Sequence, residues 1–343
     1  MSIFLSILWI VGGIVLLVKG ADVFVDGSSQ IAKRLNVSER VIGLTLVAFG
    51  TSFPELSISI IAAINKSDGL AIGNVVGSNI FNICVVLGII ALIRPIKVAK
   101  SMVKKDIPWG ILTAVVLLVL LFDTVFFGKS VNQLTRIDAL ILLLFFAVFL
   151  YCTFYKTANS TRCTVHDTSP QAEHSTNSTP NTRHPATSSH EGNKYSLTKN
   201  IILIILGLGG VLLGGELVVR GGIKLAEIFG MSHTLIGLTI VACGTSLPEI
   251  ATGVVAILKG KDDIAIGNVV GSSIFNILFI LGSAALITPI TLSVNILIDV
   301  ILMIAVTVLL FFASRSKGQI SKKEGIFFLV VYAAYLVYVI HRG

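Results

Sequence analysis

Ten mostly apolar stretches, each about as long as a membrane-crossing helix, constrain the fold of this chain more than any other feature. A helix needs about 20 apolar residues to cross the hydrocarbon of a bilayer, because each residue adds about 1.5 Å along its axis. A soluble fold could not cover its surface when 54% of its residues are hydrophobic and only 13% are charged. We therefore predict an all-α polytopic membrane protein. Its ten transmembrane helices are predicted at roughly 2–19, 41–64, 70–93, 107–127, 137–155, 201–219, 234–258, 264–287, 291–313 and 325–341.

The positive charges lie between the apolar stretches, mostly in alternate loops. If the N-terminus is outside the cell, most of the 26 Lys and Arg residues fall on the cytoplasmic side, and residues 94–105 contribute the densest group. The positive-inside rule therefore predicts a multi-pass protein of the cell (plasma or inner) membrane, surrounded by the lipid bilayer, with its N-terminus outside. The net charge of +8 does not predict nucleic-acid binding, because the charges do not form a continuous patch.

Residues 156–199 differ from the rest of the chain in composition. Ser, Thr, Asn, Pro and His dominate this segment, and it has too few apolar residues to offset the entropy of ordering it. We predict a disordered cytoplasmic linker. A metal-binding or regulatory role for its histidines is the alternative, but their irregular spacing favours the linker.

The two halves on either side of the linker are copies of each other. Residues 43–82 align without a gap with residues 237–276, so that GTSFPEL pairs with GTSLPEI and GNVVGSNIFN pairs with GNVVGSSIFN. Each half holds five predicted helices, and an odd number makes the second copy enter the bilayer from the opposite side. The sequence thus predicts two inverted-topology repeats of five helices, at 1–155 and 200–343, an architecture typical of transporters.

Two glutamates, Glu55 and Glu249, occupy equivalent places in the middle of apolar helices. A charged side chain there costs roughly 2.5–3.5 kcal/mol on insertion scales, so it usually faces a cavity and has a function. The pseudo-twofold axis of an inverted repeat brings the two carboxylates together near the bilayer midplane. They repel each other unless a cation lies between them or one is protonated. This pair predicts a cation site.

The residues around the glutamates can supply further oxygen ligands. Pro54 and Pro248 interrupt their helices, so that backbone carbonyls there can bind an ion. In the next helix of each half, polar residues four apart form one stripe. A packing seam of small residues is the alternative reading of GNVVG, and we favour it for the glycines but not for the polar residues. The candidate side-chain ligands are Thr51, Ser52, Ser78, Asn82, Thr245, Ser246, Ser272 and Asn276, and the candidate carbonyls are those of Ala48 and Ala242.

Carboxylate, hydroxyl, amide and carbonyl oxygens suit hard cations such as Ca²⁺ and Na⁺. One Ca²⁺ or two Na⁺ neutralise two glutamates, so the same site can hold either ion in alternation. The sequence lacks a metal-binding His motif and a GxSxG motif, which disfavours an intramembrane hydrolase and any other enzyme. We expect no cofactor, and we favour an exchanger over a channel.

The paired GTSxPE and GNVVGSxxFN motifs resemble those of the calcium/cation antiporter superfamily, and in particular of its prokaryotic sodium/calcium exchangers. The resemblance implies ten helices, of which the first and sixth slide across the core as access alternates, and it implies Na⁺ and Ca²⁺ sites formed by the candidate ligands above. We expect the protein to function as a monomer. Some members carry an aspartate in place of Asn82 or Asn276, and its absence here weakens a potassium-dependent reading. A Ca²⁺(cation)/H⁺ antiporter and a K⁺-dependent Na⁺/Ca²⁺ exchanger stay open as alternatives.

Overall fold

The structure is a computed structural model that describes residues 3–121, 132–163, 197–230, 242–291 and 294–342. The described chain is almost entirely helical, with four strands of two residues each that the sequence did not predict. The helices are α1 (Ile3–Arg34), α2 (Glu39–Thr51), α3 (Phe53–Ile64), α4 (Asp68–Ile93), α5 (Ile107–Leu120), α6 (Arg136–Cys163), α7 (Leu197–Ile228), α8 (Leu247–Leu258), α9 (Asp262–Ile287), α10 (Val294–Lys317) and α11 (Lys322–Arg342). The strands are β1 (Ile96–Lys97), β2 (Gln133–Leu134), β3 (Ile290–Thr291) and β4 (Gln319–Ile320).

Within the described part of the chain, 7 helices are long and apolar enough to cross a membrane, or 8 if the bent pair α2 and α3 is one span. The predicted spans 107–127 and 234–258 include residues 122–127 and 234–241, which lie outside the described residues. The protein therefore has the helices of a multi-pass membrane protein, and the count of ten stays a prediction.

Several helix boundaries differ from the predicted ones, and α7, for example, ends at Ile228 and not near residue 219. α1 does not end near residue 19 but continues to Arg34, because its polar second half packs against other helices. α6 continues to Cys163 and α7 begins at Leu197, so both extend into the segment predicted as a linker. The rest of that segment, 164–196, lies outside the described residues.

The burial pattern is that of a protein in lipid. In the most apolar stretches of α4 and α9, 72% and 94% of the residues are buried, so these two helices lie at the centre of the molecule. In the equally long apolar stretches of α1 and α11, only 22% and 11% of the residues are buried, although these stretches are apolar enough to span a membrane. Exposed apolar surface of this extent needs a bilayer around it.

Contacts between the halves come in reciprocal pairs. β1 pairs with β4 and β2 pairs with β3, both antiparallel, so each ribbon joins one strand from each half. The Asp68 carboxylate accepts the backbone N–H of Thr291 at 2.9 Å, and its repeat equivalent Asp262 accepts that of Lys97 at 3.0 Å. Each half thus contacts the other through the same positions. Each ribbon joins two loops that the charge distribution predicts on the same side of the membrane, which is the cytoplasmic side for β1 and β4 and the outside for β2 and β3.

α1 and α7 are repeat equivalents that cross each other through glycines spaced by seven. A Cβ atom added to Gly20 would lie 2.6 Å from the Val211 nitrogen, and one added to Gly214 would lie 2.4 Å from the Leu17 nitrogen. The two backbones are therefore in direct contact, which only residues without a side chain permit. The six glycines that repeat at this spacing are Gly13, Gly20, Gly27, Gly207, Gly214 and Gly221.

Candidate functional site

The candidate site lies at two helix interruptions, one between α2 and α3 and the other in front of α8. α2 and α3 meet at a bend of 49°, and Ser52 at the bend has φ −83° and ψ 12°. Pro54 occupies the first turn of α3, where no preceding carbonyl needs the N–H that proline lacks. Ser246 has nearly the same conformation, φ −93° and ψ 8°, in front of Pro248 in α8. The kink predicted at the first proline is confirmed, and the second proline begins its helix in the same way.

The two predicted carboxylates contact the opposite halves in a reciprocal manner. Glu55 and Glu249 are both completely buried. The Ser246 hydroxyl donates to Oε1 of Glu55 at 3.3 Å, and the Ser52 hydroxyl donates to Oε1 of Glu249 at 3.2 Å. Each glutamate also lies in the first turn of its helix, where the partial positive charge of the helix N-terminus favours an anion. The fold thus brings the two breaks and both acids into one buried cluster.

One oxygen of each carboxylate remains unpaired. Oε2 of Glu55 and Oε2 of Glu249 are buried and have no hydrogen-bond partner among the described residues. Oδ1 of Asn276 and both amide atoms of Asn82 share this property. Leaving a buried polar atom unpaired costs about 1–3 kcal/mol, and more if it is charged, so such atoms are rare. Buried acceptors of this kind fit a bound cation.

Hydroxyl and carbonyl oxygens surround Glu249. The Thr51 hydroxyl donates to Oδ1 of Asn268 at 3.0 Å, and the Ser272 hydroxyl lies 3.5 Å from both that oxygen and the Ala48 carbonyl. Thr51 and Ser272 also lie beside the Glu249 carboxylate. These residues come from α2 and α9, so the second acid is enclosed by oxygens from both halves.

The remaining predicted ligands are less tightly connected. Thr245 lies beside the Glu55 carboxylate and lines a cavity next to α7. Ser78 and Asn82 are buried in α4, but neither side chain makes a hydrogen bond to another predicted ligand within the described residues. Ala242 begins a short helical turn, and its side chain lies outside the described residues.

Asn79 is a site neighbour that the sequence reasoning missed. Its amide oxygen accepts a bond from Nδ2 of Asn276 at 3.0 Å, and its amide nitrogen donates to the Ser273 carbonyl at 3.1 Å. It therefore holds one predicted ligand from across the repeat boundary. The signal was present in the sequence, because GNVVGSN and GNVVGSS differ only at this position.

Thr252 is a second missed neighbour. Its hydroxyl accepts from Nδ2 of Asn268 at 3.0 Å and donates to the Pro248 carbonyl at 2.7 Å. That contact orients the Asn268 amide so that its oxygen faces Thr51. No sequence pattern pointed to it, because the repeat equivalent of Thr252 is Ile58.

Both predicted asparagine ligands begin a turn of π-helix. These turns span Asn82–Val86 in α4 and Asn276–Leu281 in α9. A π-turn inserts an extra residue into the helical register, and such turns are frequent at functional sites. The equivalent distortion in both halves indicates that the local geometry around these amides belongs to the site.

The ligand chemistry of the site is that of oxygen alone. No group of three or more His, Cys, Asp or Glu side chains that could hold a metal occurs in the described ranges. The site instead combines two carboxylates with neutral hydroxyl, amide and carbonyl oxygens, a set that Ca²⁺ and Na⁺ accept and that Zn²⁺ and Cu⁺ do not favour.

Comparisons with known proteins agree with this picture. The family model described as sodium/calcium exchanger protein matches residues 5–155 and 199–341. The chain is 37% identical to a putative antiporter, CaxA, of Alkalimonas amylolytica, with 96% of each chain covered. It is 33% identical to the sodium/calcium exchanger MaX1 of Methanosarcina acetivorans, with 95% of each covered.

A solved structure of the sodium-calcium exchanger NCX_Mj, soaked with zero Na⁺ and Ca²⁺, superposes with a TM-score of 0.78 at 30% identity. The match covers 98% of this chain and 100% of that one. The resemblance predicted from the doubled motifs is therefore confirmed over nearly the whole chain. The chain belongs to the sodium/calcium exchanger protein family, a family of transporters and not of enzymes.

Proposed function

We propose that this protein is a secondary transporter that exchanges Na⁺ for Ca²⁺ by alternating access to a site formed by Glu55 and Glu249. The observation that carries the proposal is the reciprocal pair of bonds from Ser52 and Ser246 to these acids, together with the unpaired second oxygen of each carboxylate. The relatives named as exchangers and antiporters support the same activity.

The charge of the site accounts for exchange. Two buried carboxylates without countercharge carry a large desolvation penalty, which one Ca²⁺ or two Na⁺ would offset. Because the two kinds of ion use the same acids, binding of one displaces the other. A protein that moves only when the acids are neutralised then couples the two ion fluxes.

The proposed architecture is ten transmembrane helices in two inverted repeats, with the site near the bilayer midplane. The reciprocal contacts of Asp68 and Asp262 support a twofold relation between the repeats. α1 and α7, joined through their glycines, are the helices that slide across the remainder. The N-terminus is outside, and one chain is sufficient for transport.

Calcium uptake by sodium-loaded vesicles tests the proposal. Purified protein is reconstituted into liposomes loaded with Na⁺ and diluted into sodium-free medium that contains radioactive calcium. We expect uptake only while the outward sodium gradient exists. Parallel samples with K⁺ on either side, and with a pH gradient in place of sodium, measure the two alternative couplings. Uptake that ignores sodium and follows the pH gradient would contradict the proposal.

A further inference from the structure

The two repeats are not packed alike, and the difference begins where α1 meets α8. Ala21 and Val25 of α1 are completely buried in one apolar cluster with Ala251 and Val255 of α8. Apolar side chains therefore fill this interface, which we call the closed interface.

The equivalent interface in the other repeat, between α7 and α3, is open. It contains a cavity of about 410 Å³ whose lining includes Ser57, Gly215 and Val219, together with the predicted ligand Thr245. Ser57, Gly215 and Val219 are the repeat equivalents of three of the packed residues named above. The predicted ligand Thr245 thus borders a cavity on the side of α3 and α7, whereas the equivalent interface between α1 and α8 is filled by apolar side chains.

An ion cluster joins the two sides of the closed interface. Nζ of Lys259, directly after α8, lies 2.8 Å from Oδ1 of Asp22 and 2.7 Å from Oδ1 of Asp26 in α1. It also donates to the Asp22 carbonyl at 2.9 Å. Burial alone would lower the pKa of Lys259, but the two carboxylates outweigh this and raise it. The amine therefore stays charged and the cluster stays intact at neutral pH.

The open interface cannot form this cluster. Asn65 stands where the first cluster has Lys259, and Arg220 stands where it has Asp26. Glu216, the equivalent of Asp22, is bonded to Arg220 within α7 itself. The sequence therefore encodes an attachment between a sliding helix and the core at only one of two otherwise equivalent interfaces.

We infer that Lys259 is a positioning residue of the exchange cycle: by binding Asp22 and Asp26, it holds α1 against α8 and favours the state in which the site faces the α3–α7 cavity. This inference rests on the proposed function. If α1 slides away from α8, the three charged groups separate, so the cluster stabilises one access state and not the other. A group that binds one of two states shifts their populations by its differential interaction free energy.

Thiol labelling measures this balance directly. Two reporters, Ser57→Cys in the cavity and Ala251→Cys in the closed interface, are made in a variant without the four native cysteines. Their rates of reaction with a small charged thiol reagent are compared in nanodiscs, where both faces are accessible. We expect Ser57→Cys to react faster. Lys259→Gln should raise the rate at Ala251→Cys and lower it at Ser57→Cys, changing their ratio by about three- to tenfold.

Two further variants make the test specific. Lys259→Arg keeps the charge and should keep the original ratio. The double variant Asn65→Lys with Arg220→Asp builds the same cluster at the open interface and should shift the ratio in the direction of Lys259→Gln.

Three results would overturn the inference: an unchanged ratio in Lys259→Gln at unchanged thermal stability, equal acceleration at both reporters, or an unchanged ratio in the double variant. Labelling needs no transport, so it is independent of the uptake assay. Absent sodium-driven uptake in the wild type would contradict the proposed function instead.

Discussion

Among the single residues of the candidate site, Glu55 and Glu249 stand out because one oxygen of each carboxylate has no hydrogen-bond partner within the described residues. Most of the polar side chains around them have partners, such as Thr51 with Asn268, whereas Oε2 of each acid has none among the described residues. Unpaired carboxylate oxygens in a buried cluster are costly in a purely structural role. Their cost is offset if a cation binds them.

Glu55→Gln and Glu249→Gln should each abolish exchange while the protein still inserts and folds. Each change removes half of the negative charge that faces the cation, and in a poorly screened site we expect a loss of at least about 100-fold in sodium-driven calcium uptake. Glu227→Gln is the matched control, because that carboxylate is partly exposed, is bonded to Lys224 and does not line the cavity between α3 and α7. Uptake near the wild-type rate in either purified site variant would refute the shared site.

At the scale of elements, the glycine contact between α1 and α7 sets how these helices can behave. Their backbones touch at intervals of seven residues, so they form one unit, and the surface that this unit presents to the core is mainly apolar. A unit held together in this way can move without separating. The number of glycines alone did not predict this contact, because an added Cβ at other glycines of the same helices would have no described atom within 4 Å.

Gly214→Ala should damage the protein, and Gly209→Ala should not. A Cβ at Gly214 would lie 2.4 Å from the Leu17 nitrogen, so the helices must separate, which costs about 1–3 kcal/mol. Gly209, in the same helix, has no described atom within 4 Å of the added carbon, and alanine there should be neutral or stabilise the helix by up to about 1 kcal/mol. Thermal unfolding in detergent and calcium uptake measure both variants. Equal behaviour of the two would contradict the backbone contact.

In the whole molecule, two similar ribbons join the first half of the chain to the second. The β1–β4 ribbon and the β2–β3 ribbon each join one strand from each half. Large apolar side chains remain exposed on the outer helices, including Phe4, Leu144 and Val330. The protein is thus a multi-pass membrane protein whose interior, between the halves, holds the polar residues that a soluble protein would place outside.

Inverted repeats place equivalent residues on opposite sides of the membrane. Lys97 in β1 and Thr291 in β3 are repeat equivalents, and both are exposed. In a variant without native cysteines, we expect Lys97→Cys to react with a membrane-impermeant thiol reagent only from the cytoplasmic side and Thr291→Cys only from outside. Intact and inverted vesicles provide the two sides. Labelling of both positions from the same side would rule out the inverted topology.

The family, and the two glutamates as candidate ligands, could be predicted from the sequence because both depend on patterns within short segments. Apolar stretches of membrane length, the duplicated GTSxPE motif and the prolines beside Glu55 and Glu249 are properties of short segments, and each has a direct physical consequence. The bend at Ser52 follows from the same cause.

Side-chain contacts between segments far apart in the chain could not be predicted from the sequence. Asn79 holds Asn276, Thr252 orients Asn268, and Lys259 binds α1, and each depends on which side chains the fold brings within about 3 Å. The closed and open interfaces could not be predicted from the duplicated motifs, because the residues that distinguish them, such as Lys259 and its equivalent Asn65, lie outside these motifs. The duplicated motifs predict which residues could form the site, but which of the two equivalent interfaces is packed and which contains a cavity depends on the packing of the whole molecule.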